Sequence, residues 1–206
     1  MAGELGARKQ NQAAYDDLIA FCKLMMPEFI VGKHHRILAD MLMGIEKGDK
    51  DRVCVNIPPR HGKSQLVSIF YPAWFLGRNP DKKVMMVSHT TDLAVDFGRK
   101  VRNLIATDAY RSVFPTVKLA QDSKSAGRWN TNVGGEYYAC GIGSALAGRG
   151  ADLAMIDDPV SEQDALSTTA LDNVYEWYTS GPRQRLQPGG AIIIVMTRWG
   201  KKDLTG

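Results

Sequence analysis

The sequence has no apolar run near the ~18–20 residues a membrane span needs. Its longest, Ala191 to Met196, is strand-sized. The first residues, MAGELGARKQNQAAYDD, lack the apolar centre of a secretory signal. Cysteine is scarce: Cys22, Cys54 and Cys140 are far apart, odd in number and form no Cys-x-x-Cys pair. That argues against a disulfide framework or a zinc site and for reduced thiols in a cytosolic compartment. Neither charge is in large excess. Over 206 residues, 26 Lys and Arg against 22 Asp and Glu leave +4, which permits a nucleic-acid partner without arguing for one. Internal repeats and low-complexity tracts are also missing. These absences exclude a membrane protein and a small secreted scaffold. What is present, 44% hydrophobic and 23% charged residues, suits one compact domain with a sizeable core.

Residues 1–12 are polar and read as a frayed terminus. Tyr15, Leu18, Ile19, Cys22 and Met25 recur at three- and four-residue steps and predict a helix over 13–26, broken by Pro27. His35, Leu38, Met41, Leu42 and Ile45 form a second helical stripe that ends near Gly48. From Val53 the texture changes. Val53–Ile57, Lys83–Ser88, Leu153–Ile156 and Ala191–Met196 read as buried strands. Helical patterns lie between them, at Leu66–Phe70, Leu93–Ile105 and Leu166–Tyr178. Gly134-Gly135 marks a hairpin between Trp129–Thr131 and Glu136–Cys140. Strands alternating with helices imply an α/β fold with a parallel sheet covered on both faces. We divide the chain into an N-terminal helical segment, 1–50, and a core, 51–206.

Between the first strand and its helix lies Pro58-Pro59-Arg60-His61-Gly62-Lys63-Ser64. This is the position of a phosphate loop of the Walker A type. Gly62 lets the backbone approach phosphates, whose charge is met by loop N–H groups and the helix N-terminus. Lys63 reaches the terminal phosphates and Ser64 serves Mg²⁺. The full pattern wants a glycine five residues before Gly62, where Ile57 stands. The ordinary alternative is a basic turn. Nucleotide hydrolases of this kind also need a carboxylate at the end of another buried strand. Leu153–Ile156 runs into Asp157-Asp158. Asp157 is the candidate metal carboxylate. Asp158 is the candidate for orienting or deprotonating the attacking water, a task more often given to Glu. A third strand ends at Thr197, where a polar side chain can report on the γ-phosphate. Hydrolysis builds charge that an arginine can stabilise, sometimes from a neighbouring subunit. Arg149, between Gly148 and Gly150, is favoured as such a finger; Arg60 is the alternative within the same chain, and Arg198 the third candidate.

In chain order these are a His34-His35 helix, a strand, Pro58–Ser64, Gly148–Asp152, Ile156–Pro159 and Met196–Gly200. Over about residues 30–206 the combination resembles the ATPase domain of the large terminase subunit, the motor that packages viral DNA into procapsids. Lys201–Gly206 continues the pattern. The resemblance implies a RecA-like, additional-strand P-loop ATPase, its mainly parallel sheet flanked by helices. It implies Mg-ATP held by Pro59, Arg60, His61, Gly62, Lys63 and Ser64, with Ser64 and Asp157 on the metal. Asp158 matches the catalytic carboxylate position, Thr197 the coupling motif, and Arg149 the approximate place of a trans-acting finger. Family members often read adenine with an upstream Gln; here Val31–His35 holds none, and His34 or His35 stands in its place. The other reading of that pair is a helix start with one ring partly buried.

The implied partners are double-stranded DNA, the viral portal and procapsid, a small terminase subunit and further copies of the chain in a ring, expected to be a pentamer. The implied place is the cytoplasm of an infected host cell, with no membrane. A nuclease domain is expected beyond residue 206, so ATPase activity without DNA cleavage is expected of this chain. Lys82-Lys83, Arg99, Lys100, Arg102, Lys118 and Lys124 are candidate contacts to the DNA backbone. The rival readings are a superfamily 2 helicase-like DNA-remodelling ATPase, a nucleotide kinase, and a non-hydrolysing assembly module.

Overall fold

The apolar stretches align side by side in one six-stranded sheet. The computed structural model describes residues 2–123, 125–146 and 148–206, so Lys124 lies outside the described residues. The strands are β1 (Arg52–Asn56), β2 (Lys83–Ser88), β3 (Arg128–Asn130), β4 (Glu136–Gly141), β5 (Ala151–Asp157) and β6 (Leu186–Met196). Their order is β1-β6-β5-β2-β4-β3. Every pairing is parallel except that of β3 with β4, the hairpin turning at Gly134-Gly135. Thus β6 is inserted between the strand that leads into the glycine-rich loop and the strand that ends in Asp157. This is the additional-strand order, and the fold is the mainly parallel α/β architecture expected.

The helices are α1 (Ala2–Asp16), α2 (Leu18–Met25), α3 (Lys33–Glu46), α4 (Tyr71–Arg78), α5 (Thr91–Ile105), α6 (Asp108–Val113) and α7 (Thr168–Ser180). Alternation along each strand sends side chains to opposite faces. Val53, Val55, Val84, Met86, Leu153, Met155, Ile193 and Val195 face the larger core, shared with residues of α1–α6. Met85, Val87, Cys140, Ile156, Ile192 and Ile194 face a smaller one, covered by Leu146 and by Trp177 and Tyr178 of α7. At the β1 end this second face thins, and Cys54 is exposed; all three cysteines are free.

Three local expectations are corrected. The polar terminus expected to fray is helical from Ala2: α1 is held by Asn11 Nδ2 donating to the Ser112 carbonyl at 3.1 Å and by Tyr15 packing on Phe114. The helix expected over 13–26 is broken at Asp17, whose carboxylate caps α2 by accepting from Ala20 N–H at 2.7 Å. The last strand begins at Leu186, five residues earlier than its apolar run, because Ala151 of β5 pairs with Leu186 across a register shift. Between the glycine-rich loop and α4, residues Gln65–Phe70 form wide turns, with the Tyr71 N–H reaching back to the Leu66 carbonyl. Among the described residues, no helix is long and apolar enough to cross a membrane.

Candidate active site

Because β1, β6, β5 and β2 are parallel, their carboxyl ends share one edge. Ligands bind outside this edge in open α/β sheets. The loop after β1 opens there. Gly62 has φ +73°, and a Cβ on it would lie 2.6 Å from His35 Nε2. Only glycine meets both constraints. Arg60, at φ +64°, is exposed and forms no ion pair among the described residues.

Histidines brace this loop. His61 Nδ1 donates to the Pro59 carbonyl at 2.8 Å. His34 Nε2 and His35 Nε2 both donate to the His61 carbonyl, at 3.0 and 2.9 Å. His35 Nδ1 accepts from Gly32 N–H at 3.0 Å, so the ring is neutral with its proton on Nε2. Burial, then the neighbouring His34, push its pKa below the ordinary value, against the bond to His61. Both ring nitrogens of His35 are therefore committed to the chain itself.

Two carboxylates close the site. Ser64 Oγ donates to Asp157 Oδ1 at 3.2 Å, and Ser68 Oγ to Asp157 Oδ2 at 2.5 Å. Asp157 is 1% exposed. Burial pushes its carboxyl up to about 6; the two serines and Lys63 oppose this, while the charge of Asp158 adds to it. Lys63 Nζ, itself buried, lies 2.8 Å from Oδ2 of the half-buried Asp158 in an ion pair. Asp158 Oδ1 accepts from Thr197 N–H at 3.0 Å, linking the tip of β6 to the same carboxylate. The structure thus brings together Gly62, Lys63, Ser64, Asp157, Asp158 and Thr197.

Ser64 and Asp157 offer hard oxygen donors at one point, the kind Mg²⁺ takes together with phosphate oxygens and water. Among the described residues no group of three or more His, Cys, Asp or Glu can hold a metal. A metal here would complete its shell from the ligand and water, so the donor set fits Mg²⁺ arriving with a nucleotide.

Of the other two arginine candidates, Arg149 lies elsewhere, whereas Arg198 follows Thr197 on the same edge but is engaged with Asp203 and Gly200. Arg149 precedes β5, at the amino edge of the sheet, about 20 Å of strand away from Asp157. Its guanidinium sits 3.9 Å from the centre of the Tyr138 ring, and Nη1 is 3.7 Å from Glu136 Oε1. With Lys83 and Arg128 it lines a polar cavity of about 240 Å³. Arg198 Nε donates to Asp203 Oδ2 at 2.9 Å, and Nη2 to the Gly200 carbonyl. Burial acts to raise the Asp203 carboxyl; the N–H groups of Gly200 and Trp199, with Arg198, outweigh it and hold the pKa below the usual carboxylate value.

Sequence reasoning passed over Ser68 and His89. Ser68 stands four residues after Ser64, so a continuing helix presents both to Asp157. His89 directly follows β2 and meets the Asp158 carbonyl; its signal was only its place at a strand tip on the same edge.

A sequence profile of the family described as terminase large subunit, T4likevirus-type, N-terminal, matches residues 54–183. No curated protein matches the chain. Among solved structures, the large terminase of bacteriophage HK97 superposes with a TM-score of 0.57 at 13% identity. The match covers 89% of this chain and 37% of that one, so the chain spans a little over a third of that protein's length. The large terminase ATPase domain of a Thermus phage gives a TM-score of 0.43 at 16% identity, covering 71% of this chain and 60% of that one. The first likeness shows the fold; the profile, spanning more than half of the sequence, shows the family: the chain belongs to the T4likevirus-type terminase large subunits, N-terminal domain.

Proposed function

We propose that this chain binds Mg-ATP at the carboxyl edge of its sheet and hydrolyses it to drive double-stranded viral DNA into a procapsid. The observation that carries the reading is the convergence of Lys63, Ser64, Asp157, Asp158 and Thr197 within hydrogen-bond reach of one another. In the proposed cycle, the incoming phosphates draw Lys63 away from Asp158. The freed carboxylate then orients the attacking water and accepts its proton. Mg²⁺, held through Ser64 and Asp157, supplies neutralisation of phosphate charge. Thr197 couples the state of Asp158 to β6.

Arg149 cannot serve the site of its own chain from the opposite edge, which supports its role toward a neighbour's nucleotide. A head-to-tail contact of that kind builds rings. Arg60, exposed within the loop, is the alternative finger. Residues 51–206 form the motor core in this reading, with the helices of 1–50 as its cover. Lys82, Lys83, Arg99, Lys100, Arg102 and Lys118 are proposed phosphate contacts to DNA. Portal, procapsid, small subunit and a host-cell cytoplasmic setting follow from the packaging role.

Steady-state ATPase assays of the wild type, Lys63→Ala and Asp158→Asn test the reading. We expect wild-type turnover, loss of nucleotide binding in Lys63→Ala, and a rate lower by about 10²–10⁴-fold in Asp158→Asn with binding retained. Turnover confined to a small-molecule phosphate acceptor would instead identify a kinase.

A further inference from the structure

His89 has no part in the mechanism above, yet it makes two bonds to one atom of the site. Its backbone N–H donates to the Asp158 carbonyl at 3.3 Å, and its Nδ1 contacts the same oxygen at 3.1 Å. A carbonyl oxygen only accepts, so the ring carries its proton on Nδ1. Asp158 has φ +42°. With Arg60 it is one of two non-glycine residues at positive φ among the described residues, a region L-amino acids seldom adopt. Such a conformation persists only where surrounding bonds over-determine it.

The bonds that hold Asp158 come from three directions. Its N–H donates to the Val195 carbonyl at 2.9 Å, and its carboxylate accepts from Thr197 N–H, both on the β6 side. Lys63 grips the other carboxylate oxygen from the loop. His89, at the tip of β2, supplies the remaining hold, on the backbone carbonyl. When nucleotide phosphates compete for Lys63, the carboxylate loses one of its two restraints. Thr197 N–H then holds the carboxylate alone, and the clamp on the Asp158 carbonyl keeps the backbone that aims it in place.

We propose that His89 is a positioning residue. Its Nδ1–H fixes the left-handed backbone of Asp158 so that the carboxylate keeps its aim after Lys63 turns to the nucleotide. This inference rests on the reading of Asp158 as the hydrolytic carboxylate.

The test compares wild type, His89→Phe and His89→Asn. Phenylalanine keeps a ring and removes the donor. Asparagine places an amide N–H where Nδ1 stood. The readouts are kcat and KM for ATP hydrolysis, equilibrium binding of a fluorescent ATP analogue, and the thermal unfolding midpoint. We expect kcat to fall roughly 10- to 100-fold in His89→Phe, with nucleotide affinity and unfolding midpoint close to wild type. We expect His89→Asn to recover most of the rate. If phenylalanine disturbs folding, His89→Ala supplies the donor-free comparison. Wild-type kcat in a donor-free variant, or no recovery in a folded asparagine variant, overturns the role of His89 alone. A wild-type protein without turnover overturns the hydrolytic reading and this inference with it.

Discussion

A methyl group on residue 62 would meet His35 Nε2 at 2.6 Å, on a backbone with φ +73°. His35 cannot retreat without releasing Gly32 N–H and the His61 carbonyl. Gly62→Ala should therefore abolish nucleotide binding and lower the unfolding temperature, checked by analogue titration and thermal melts. Asp157 gives a second residue-level expectation. Burial raises its carboxyl to about 6, while a divalent ion needs the anion. Above that value the site is ready; below it, binding must first expel a proton. Mg²⁺-dependent nucleotide affinity should therefore weaken as pH falls through about 6. Calorimetry near that pH, in buffers of different ionisation enthalpy, should show up to one proton released in the wild type and less in Asp157→Asn. The contiguous motif and the Asp157-Asp158 strand end were legible in the sequence because each packs its chemistry into a few adjacent residues. Ser68 and His89 were not, since their roles depend on a partner some seventy or ninety positions away.

Elements show the opposite balance. Of the four parallel strands read from the sequence, β2, β5 and β6 were legible because strands covered on both faces carry near-continuous apolar runs, and β1, covered on one face, by its buried Val53 and Val55. The amino-terminal helix was not, because its stability is tertiary. Arg78 holds it: the guanidinium lies 4.7 Å from the Tyr15 ring centre and 5.0 Å from that of Trp74, and donates to the Tyr15 carbonyl at 3.0 Å. Its Nε pairs with Glu46 Oε1 at 2.9 Å, tying α1 and α3 to α4. Arg78→Ala should cost about 1–3 kcal/mol in denaturant unfolding. It should also raise hydrogen exchange along α1 before the sheet is affected. The early start of β6 was hidden for another reason. Its first residues include Pro188, Gly189 and Gly190, which carry no apolar run and continue the strand along an exposed stretch where few ladder bonds are required.

At the scale of the whole molecule, strand order decides function. Placing β6 between β1 and β5 sets Thr197 beside Asp158, and the parallel arrangement puts Arg149 at the far edge. Thr197 and Arg149 were legible as candidates from local pattern, but where the sheet places them was not, because sheet order is non-local; the family resemblance implied the additional-strand order and not the distance of Arg149 from the site. If Arg149 serves a neighbour, mixtures of Arg149→Ala and Lys63→Ala subunits should regain part of the activity each lacks alone. No recovery at any ratio would assign the finger to another residue, with Arg60 the first to test. The account's central claim, that Lys63, Ser64, Asp157 and Asp158 form one ATP-hydrolysing site, is tested most directly by phosphate release from Mg-ATP. The chain should be assayed alone and assembled with DNA on procapsids, beside Lys63→Ala and Asp158→Asn. Turnover is expected in the wild type and its loss in both variants. Absence of wild-type turnover in every setting, or undiminished turnover in Lys63→Ala, would contradict it.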